Sequence, residues 1–247
     1  MEWTRYLLDG IDFSDVTVMD AGTGTGRTTS LLAGKVAEAG GKGRILSVDI
    51  DPETFPEAKR MLGEHARFVE FVEADLTCMP QIGSESFDLI VCSATLCALN
   101  DRPLKALKGL AEFHRVLKKG GWLIIADDCP LPKAATPEQE VQVMRWQMYK
   151  AVAELTGEGH YTEIYPEELE FAASLVGFRD IEWRRFVGRP LQQNTMEEWR
   201  GVMPSMVNEI GDEQTREAFL ALISKIYKKY QKEGGRDASS YIMKMRK

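Results

Sequence analysis

Five short apolar runs punctuate the first half of the chain: "VTVMD" (16–20), "RILSVD" (44–49), "RFVEFVEA" (67–74), "FDLIVCS" (87–93) and "WLIIAD" (122–127). Helix-patterned stretches stand among them, at roughly 26–39, 53–65 and 103–118. Strand and helix alternating through short connections predict a doubly wound α/β sheet. The fourth and fifth runs are almost wholly apolar, as strands covered on both faces of a parallel sheet are. A chain of 247 residues is long enough to bury about three quarters of its unfolded surface.

The balance of residues narrows the function classes. Hydrophobic content of 44% with 28% charged residues excludes a disordered chain. A net charge of -7 disfavours DNA or RNA as the main partner, since nucleic-acid binders usually carry a basic face. The apolar runs are too short to span a bilayer. "MEWTRYLLDG" has neither the basic start nor the apolar stretch of a signal peptide, so a cytoplasmic location off the membrane is expected. Cys78, Cys92, Cys97 and Cys129 show no metal spacing and read as reduced cysteines, so no metal is expected.

After the fifth run the texture changes. "CPLPKAATPEQ" is a proline-punctuated loop in which Thr136 reads as an N-cap, Pro137 as the first helical residue and Gln139 as the partner of a capping box. That helix is expected to reach about Leu155, and another to run from Glu167 to Val176 and stop at Gly177. "FRDIEWRRFV" reads as a polar edge strand. Two helices are expected next, one capped by Thr195 with Glu198, one starting near Asp212, before a last strand "SYIMKMR". Phe219, Leu220, Ile223, Ile226, Tyr227 and Tyr230 form an apolar stripe that serves core packing or a homodimer face.

The turn after the first strand carries the chemistry. "VMDAGTGTGRTT" places Gly22, Gly24 and Gly26 two residues apart, with Asp20 two residues before the first. A dinucleotide fingerprint beginning at Gly22 needs glycine at 27, where this chain has Arg27. The spacing suits a ligand without a pyrophosphate, approached closely by backbone of positive φ. Asp20 is placed to accept from an amino group, directly or through water. At the end of the second strand Asp49 and Asp51 share a side. Asp51, followed by Pro52 and Glu53, is an N-cap, which leaves Asp49 for the two hydroxyls of a ribose. In "EADL" Asp75 can accept from an exocyclic adenine amine, with Ile50 and Leu76 against the ring; a turn or helix cap is the other reading of Asp75.

"VMDAGTGTG", "ILSVDIDPE", "EADL", "FDLIVCSATLCAL" and "FHRVLKKGGWLIIAD" together resemble, in order and spacing, the class I methyltransferases that use S-adenosylmethionine, above all the methyltransferase type 11 or ubiquinone-biosynthesis-like branch that acts on small molecules. "YPEELEFAASLVGFRDIEW" and "SYIMKMRK" are similar to the family's late helix and last two strands. Lys119 departs from the proline the family often has before its Gly-Gly turn. The resemblance implies a Rossmann-like sheet of seven strands, with strand seven antiparallel between five and six. It implies one methyltransferase domain over 1–247, with a cofactor-binding core at 1–128 and helical insertions at 129–166 and 188–239 that cover the acceptor. Cofactor contacts are implied for Asp20, Gly22, Thr23, Gly24, Gly26, Asp49, Ile50, Asp75, Leu76, Ser93 and Ala94.

Methyl transfer from a sulfonium is an in-line displacement needing alignment and exclusion of water. The family has no universal catalytic set. Thr95 and Cys97 are read as facing the acceptor, with Trp146, Tyr149 and Tyr161 contributing from the insertions. His160 is the weak candidate for a general base, while His65 and His114 read as structural. The expected activity is methyl transfer to a small molecule. A protein or RNA acceptor, a module that binds the cofactor without turnover, and a nicotinamide dehydrogenase are the competing readings.

Overall fold

Strands buried on both faces must be apolar along their length, as the fourth run is, whereas the third run's strand, Val69–Glu73 at one edge of the sheet, has no buried residue. The computed structural model describes residues 2–100, 105–159 and 161–247. In chain order the elements are α1 (Glu2–Leu8), β1 (Thr17–Ala21), α2 (Arg27–Glu38), β2 (Arg44–Asp49), α3 (Phe55–Leu62), β3 (Val69–Glu73), β4 (Phe87–Ser93), α4 (Leu96–Leu99), α5 (Lys105–Val116), β5 (Leu117–Asp128), α6 (Pro137–Thr156), α7 (Pro166–Val176), β6 (Arg179–Phe186), α8 (Gln193–Asn208), α9 (Glu213–Glu233) and β7 (Ser240–Arg246). The seven strands form one sheet in the order β3-β2-β1-β4-β5-β7-β6. β3, β2, β1, β4 and β5 pair in parallel. β7 is antiparallel: Gly120 N donates to Lys247 O, Lys247 N donates to Gly121 O, and at the other end Cys129 N donates to Ser239 O. The sheet has the order and strand directions expected, and β6 is its other edge.

The chain divides into two compact units. The first comprises Met1–Asp127, Glu163–Arg185 and Tyr241–Lys247. Its core is the sheet interior, where Val18, Met19, Ile90, Val91, Leu123, Ile124, Ile242 and Met243 have no solvent exposure. The second comprises Asp128–Thr162 and Phe186–Ser240. Its core joins α6, α8 and α9 through Val141, Met148, Val152, Met196, Met203, Val207, Ile223 and Ile226. Phe219, Leu220, Tyr227 and Tyr230 pack against that cluster, so the stripe on α9 is core packing within its own unit.

Several local expectations change. The 53–65 helix is broken into a 3-10 turn (Pro52–Thr54), α3, and a second 3-10 stretch (Gly63–Phe68). The fifth strand begins earlier, at Leu117, with an irregular register between Phe87 and Leu89 opposite it. Thr195 is not a cap: α8 begins at Gln193 with Gln192 before it, which places Thr195 inside the first turn. The other caps stand. Thr136 accepts from Gln139 N at 3.3 Å, Gln139 Oε1 accepts from Ala135 N, and Asp212 accepts from Thr215 N. Among the described residues no helix is long and apolar enough to cross a membrane, and no cluster of metal-binding side chains is present.

Gly26 shows what holds α2 in place. It precedes α2 with φ +84°, and a Cβ built there lies 2.7 Å from Ala58 Cα on α3. Gly24, at φ +46°, faces open space. Gly26→Ala is therefore expected to lose about 3 kcal/mol of stability, from left-handed backbone and overpacking together, and Gly24→Ala only about 1 kcal/mol. Urea unfolding of both variants decides this. Equal midpoints would remove contact with α3 as the reason for glycine at 26.

Candidate functional site

The ends of β1, β2 and β4 come together in the first unit around the glycine turn. Gly22 N and Thr23 N both donate to Val48 O, at 2.8 and 3.1 Å, which lays the turn across the end of β2. Gly22 has φ +93°, and a Cβ there would overlap the Thr95 side chain, 2.0 Å from its Oγ1. Only glycine lets the turns after β1 and β4 meet at this point.

Beneath the turn lies a buried polar cluster. Register sets Asp20 of β1 opposite Ser47 of β2. Asp20 Oδ2 accepts from Thr29 Oγ1 at 2.5 Å and from Ser47 Oγ at 3.2 Å, and Thr23 Oγ1 lies 2.8 Å from Ser47 Oγ. Asp20 is wholly buried and its Oδ1 has no hydrogen-bond partner among the described residues. Burial pushes its carboxyl up to about 7, against the pull of the Thr29 and Ser47 hydrogen bonds and with help from the charge of Asp49. Thr29 and Ser47 were not identified from sequence. Ser47 becomes visible only once strand register is known.

Asp51 takes the capping place that its position implies, and Asp49 is held by two backbone donors. Asp51 accepts from Glu53 N at 3.0 Å and caps the 3-10 turn that starts at Pro52. Asp49 Oδ2 accepts from Gly24 N at 2.8 Å and Oδ1 from Asp51 N at 3.0 Å. A carboxylate has about four acceptor positions, so Asp49 is oriented by two backbone donors and keeps capacity for two more. Ile50, beside it, is 68% exposed, unusual for isoleucine at a strand end, while Leu76 is buried. Asp75 Oδ1 accepts from both Thr77 N and Thr77 Oγ1 at 2.8 Å. That is the turn-capping role, and it leaves Oδ2 for another donor.

After β4, Ala94 is held at φ +52°, and its N–H donates to Ala126 O at 2.8 Å. A left-handed alanine costs about 1–2 kcal/mol, and such strain gathers where a site demands it. Thr95 Oγ1 donates to Ser93 O at 3.0 Å, which fixes Thr95 over Gly22. Cys97 N donates to the buried Asp127 Oδ2 at 2.9 Å. Burial, and then Asp127, push the Cys97 thiol far up, so Cys97 is a neutral side chain and not a nucleophile. Asp127 was not identified from sequence; it steadies the start of α4 from the end of β5.

In the second unit Trp146, Tyr149 and Tyr161 form a group of nearly parallel rings, with centroids 5.4, 6.1 and 6.2 Å apart and planes within 11°. His160 lies outside the described residues. His65 sits in the 3-10 stretch before β3, and His114 packs edge-on against Phe178, so both have structural places.

Residues 12–175 match the family pattern described as "Methyltransferase domain", which is well over half of the chain. A malonyl-[acyl-carrier protein] O-methyltransferase of Laribacter hongkongensis is 33% identical over 126 residues, 48% of this chain and 39% of that protein. A demethylmenaquinone methyltransferase of Beutenbergia cavernae is 29% identical over 75% of each chain. Among solved structures, a cyclopropane-fatty-acyl-phospholipid synthase-like protein of Lactobacillus casei superposes with a TM-score of 0.70 at 14% identity, covering 99% of this chain and 89% of that one. Other curated relatives are matched over about half of their length, 49% and 58% in two cases.

The buried Asp20 makes stability depend on pH in a defined direction. Its folded-state value near 7 stands above the roughly 3.9 of an unfolded aspartate. Below about pH 4 both states are protonated. As pH rises from about 4 towards 7 the unfolded state sheds its proton first, and this group's contribution is lost. Ligand-free wild type should therefore lose stability relative to Asp20→Asn across that window, by a few kcal/mol at about 1.4 kcal/mol per unit, with no further change above about pH 7. Urea midpoints from pH 4.5 to 8 provide the check, and parallel curves for the two proteins would assign the titration elsewhere.

Proposed function

The chain belongs to the methyltransferase-domain family, and from that premise we propose that it transfers a methyl group from S-adenosylmethionine to a small-molecule acceptor and releases S-adenosylhomocysteine. The observation that carries this reading is the Asp49 carboxylate, fixed by Gly24 N and Asp51 N at the rim of the glycine turn. Two further features fit a nucleoside with a cationic tail. Gly24 faces open space, and Asp20 Oδ1 is a buried acceptor without a donor.

When bound, the cofactor supplies an activated methyl on a sulfonium, so the chain has to align the acceptor and exclude water. Asp49 accepts the ribose hydroxyls. Ile50 and Leu76 flank the adenine, and Asp75 accepts its exocyclic amine. Gly22, Thr23, Gly24 and Gly26 admit the amino-acid end, with Asp20 beneath them, and Ser93 and Ala94 line the cofactor at the end of β4. Thr95 and Cys97 border the acceptor at the end of β4. His160 remains the one histidine proposed as a base. The demethylmenaquinone relative favours a small organic acceptor, and the malonyl-carrier relative keeps a carrier-borne acceptor as the alternative.

S-adenosylhomocysteine should raise the melting temperature and NADH should not; at 100-fold its dissociation constant a ligand adds about 2.7 kcal/mol. Asp49→Asn is expected to weaken S-adenosylhomocysteine binding by about 2 kcal/mol, the scale of hydrogen bonds to a charged group. Asp51→Ala should instead lower stability by about 1 kcal/mol, as for a lost cap, with affinity kept. Calorimetry and urea unfolding on both variants test the division. Exchanged phenotypes, or a protein stabilised by NADH alone, would overturn it.

A further inference from the structure

We propose that the second unit carries an anion subsite at the Arg145 guanidinium, which takes the carboxylate or phosphate of a flat aromatic acceptor whose ring lies against Trp146 and Tyr149. Calling that ligand the acceptor rests on the methyl-transfer reading; the subsite itself does not.

At 100° per residue, Val141, Met144, Met148 and Val152 share the side of α6 that packs into the unit's core. Gln142, Arg145, Trp146 and Tyr149 occupy the adjoining arc of about 100°, where Tyr149 packs against the same core and Gln142 is buried. Polar and aromatic side chains are thus drawn together on an arc that is largely withdrawn from water.

Arg145 is a charge short of partners. Its side chain is only 14% exposed, and its nearest carboxylate oxygen, Asp237 Oδ1, stands 4.0 Å from Nη2. Among the described residues its one hydrogen-bond contact is from Nη1 to the sulfur of Met196, at 3.6 Å. A guanidinium has five donors, and thioether sulfur is a weak acceptor. Buried guanidinium groups are ordinarily paired at close range, because an uncompensated charge away from water is costly. The surrounding charge does not make up the difference. Asp237 also lies in the field of Arg189, whose carbonyl accepts from Asp237 N at 2.9 Å, so two cations share one half-exposed carboxylate. Burial lowers the pKa of Arg145, the direction expected of a guanidinium that still lacks its counter-ion.

A second, independent observation lies on the same face. One turn before Arg145, Gln142 is 7% exposed and its Oε1 has no hydrogen-bond partner among the described residues. A buried amide oxygen of this kind calls for a donor, such as a ligand hydroxyl. One residue after Arg145, the Trp146 ring lies nearly parallel to Tyr149, with planes 11° apart. Tyr161 lies nearly parallel to both, with centroids 6.1 and 6.2 Å away, so the group already stacks flat rings; a ligand ring would join that stack, or take the place of one of its members, by offset stacking. The Lys150 ammonium over Trp146, 5.6 Å from its centroid, adds positive potential beside them. Guanidinium, amide and ring faces in one helical arc together match a planar acid.

The test uses the full chain at constant ionic strength, titrated with benzoate, phenyl phosphate and neutral benzamide, with S-adenosylhomocysteine binding measured in the same preparations. Either anion should bind saturably and about tenfold more tightly than benzamide, the scale of one charge-assisted contact; the tighter of the two identifies carboxylate or phosphate as the head group. Arg145→Met should reduce anion binding to the benzamide level and leave S-adenosylhomocysteine affinity within about threefold, since Arg145 is none of the residues proposed to hold that ligand. Its melting temperature should be unchanged or higher, since no close ion pair is lost. If that variant does not fold, Arg145→Lys decides, because a point charge should bind benzoate severalfold more weakly than the planar fork. Equal binding of benzoate and benzamide, or undiminished anion affinity in a folded Arg145 variant, overturns the subsite. Loss of S-adenosylhomocysteine binding in wild type would instead overturn the methyl-transfer reading.

Discussion

A carboxylate with no access to water lies at the end of β1, and the neighbouring loops are arranged around it. Asp20 meets Thr29 of α2 and Ser47 of β2, so one buried group ties together a strand, its neighbour in register and the helix that follows the glycine turn. An unpaired polar atom costs more in such surroundings than a hydrogen bond contributes, so partial satisfaction is a strong constraint. Oδ2 is satisfied and Oδ1 is not. The turn above is correspondingly pinned from several sides: by Val48 O, by Asp49, and by the close fit of Gly22 against Thr95. The turn is thus organised by the chain's own contacts, the condition under which a ligand bound there would lose least to ordering.

Much of this was legible in the chain because the signals are local. Glycines at 22, 24 and 26 after a strand, Asp51 before a proline, and Thr136 or Asp212 ahead of a helix each state a backbone requirement within a few residues. Five strands in register with one family's order carried the sheet topology. What could not be read depends on contacts far apart in sequence. Ser47 is an ordinary serine until register sets it opposite Asp20. Arg145, within a helix rich in charged and amide residues, looks like a solvated side chain until tertiary packing takes its water away. Thr195 is a good capping residue, but α8 starts two residues earlier, where no side chain caps it; tertiary packing outweighed the local preference.

The two units stabilise themselves by different means. The first relies on β-branched and leucine side chains in parallel strands, which have few rotamers and specify register strictly. The second gathers Met148, Met196 and Met203, with Met144 and Met206 at its margin, around α6, α8 and α9. Methionine is flexible and polarisable, so such a core tolerates change in shape and in the residues that cover it. The two cores therefore differ in how much change of shape each tolerates.

The seat of β7 has a consequence for how the molecule comes into being. β7 inserts between β5 and β6, and Tyr241, Ile242, Met243 and Met245 are fully buried there. Until residues 240–246 leave the ribosome, β5 and β6 have no strand between them, and each presents a bare row of backbone amides and carbonyls. Contacts spanning more than a hundred residues close slowly, and open strand edges are what nascent chains misassemble through. The charged exterior of β6, with Arg179, Asp180, Glu182, Arg184 and Arg185 in eight residues, keeps that waiting edge from pairing with a stranger.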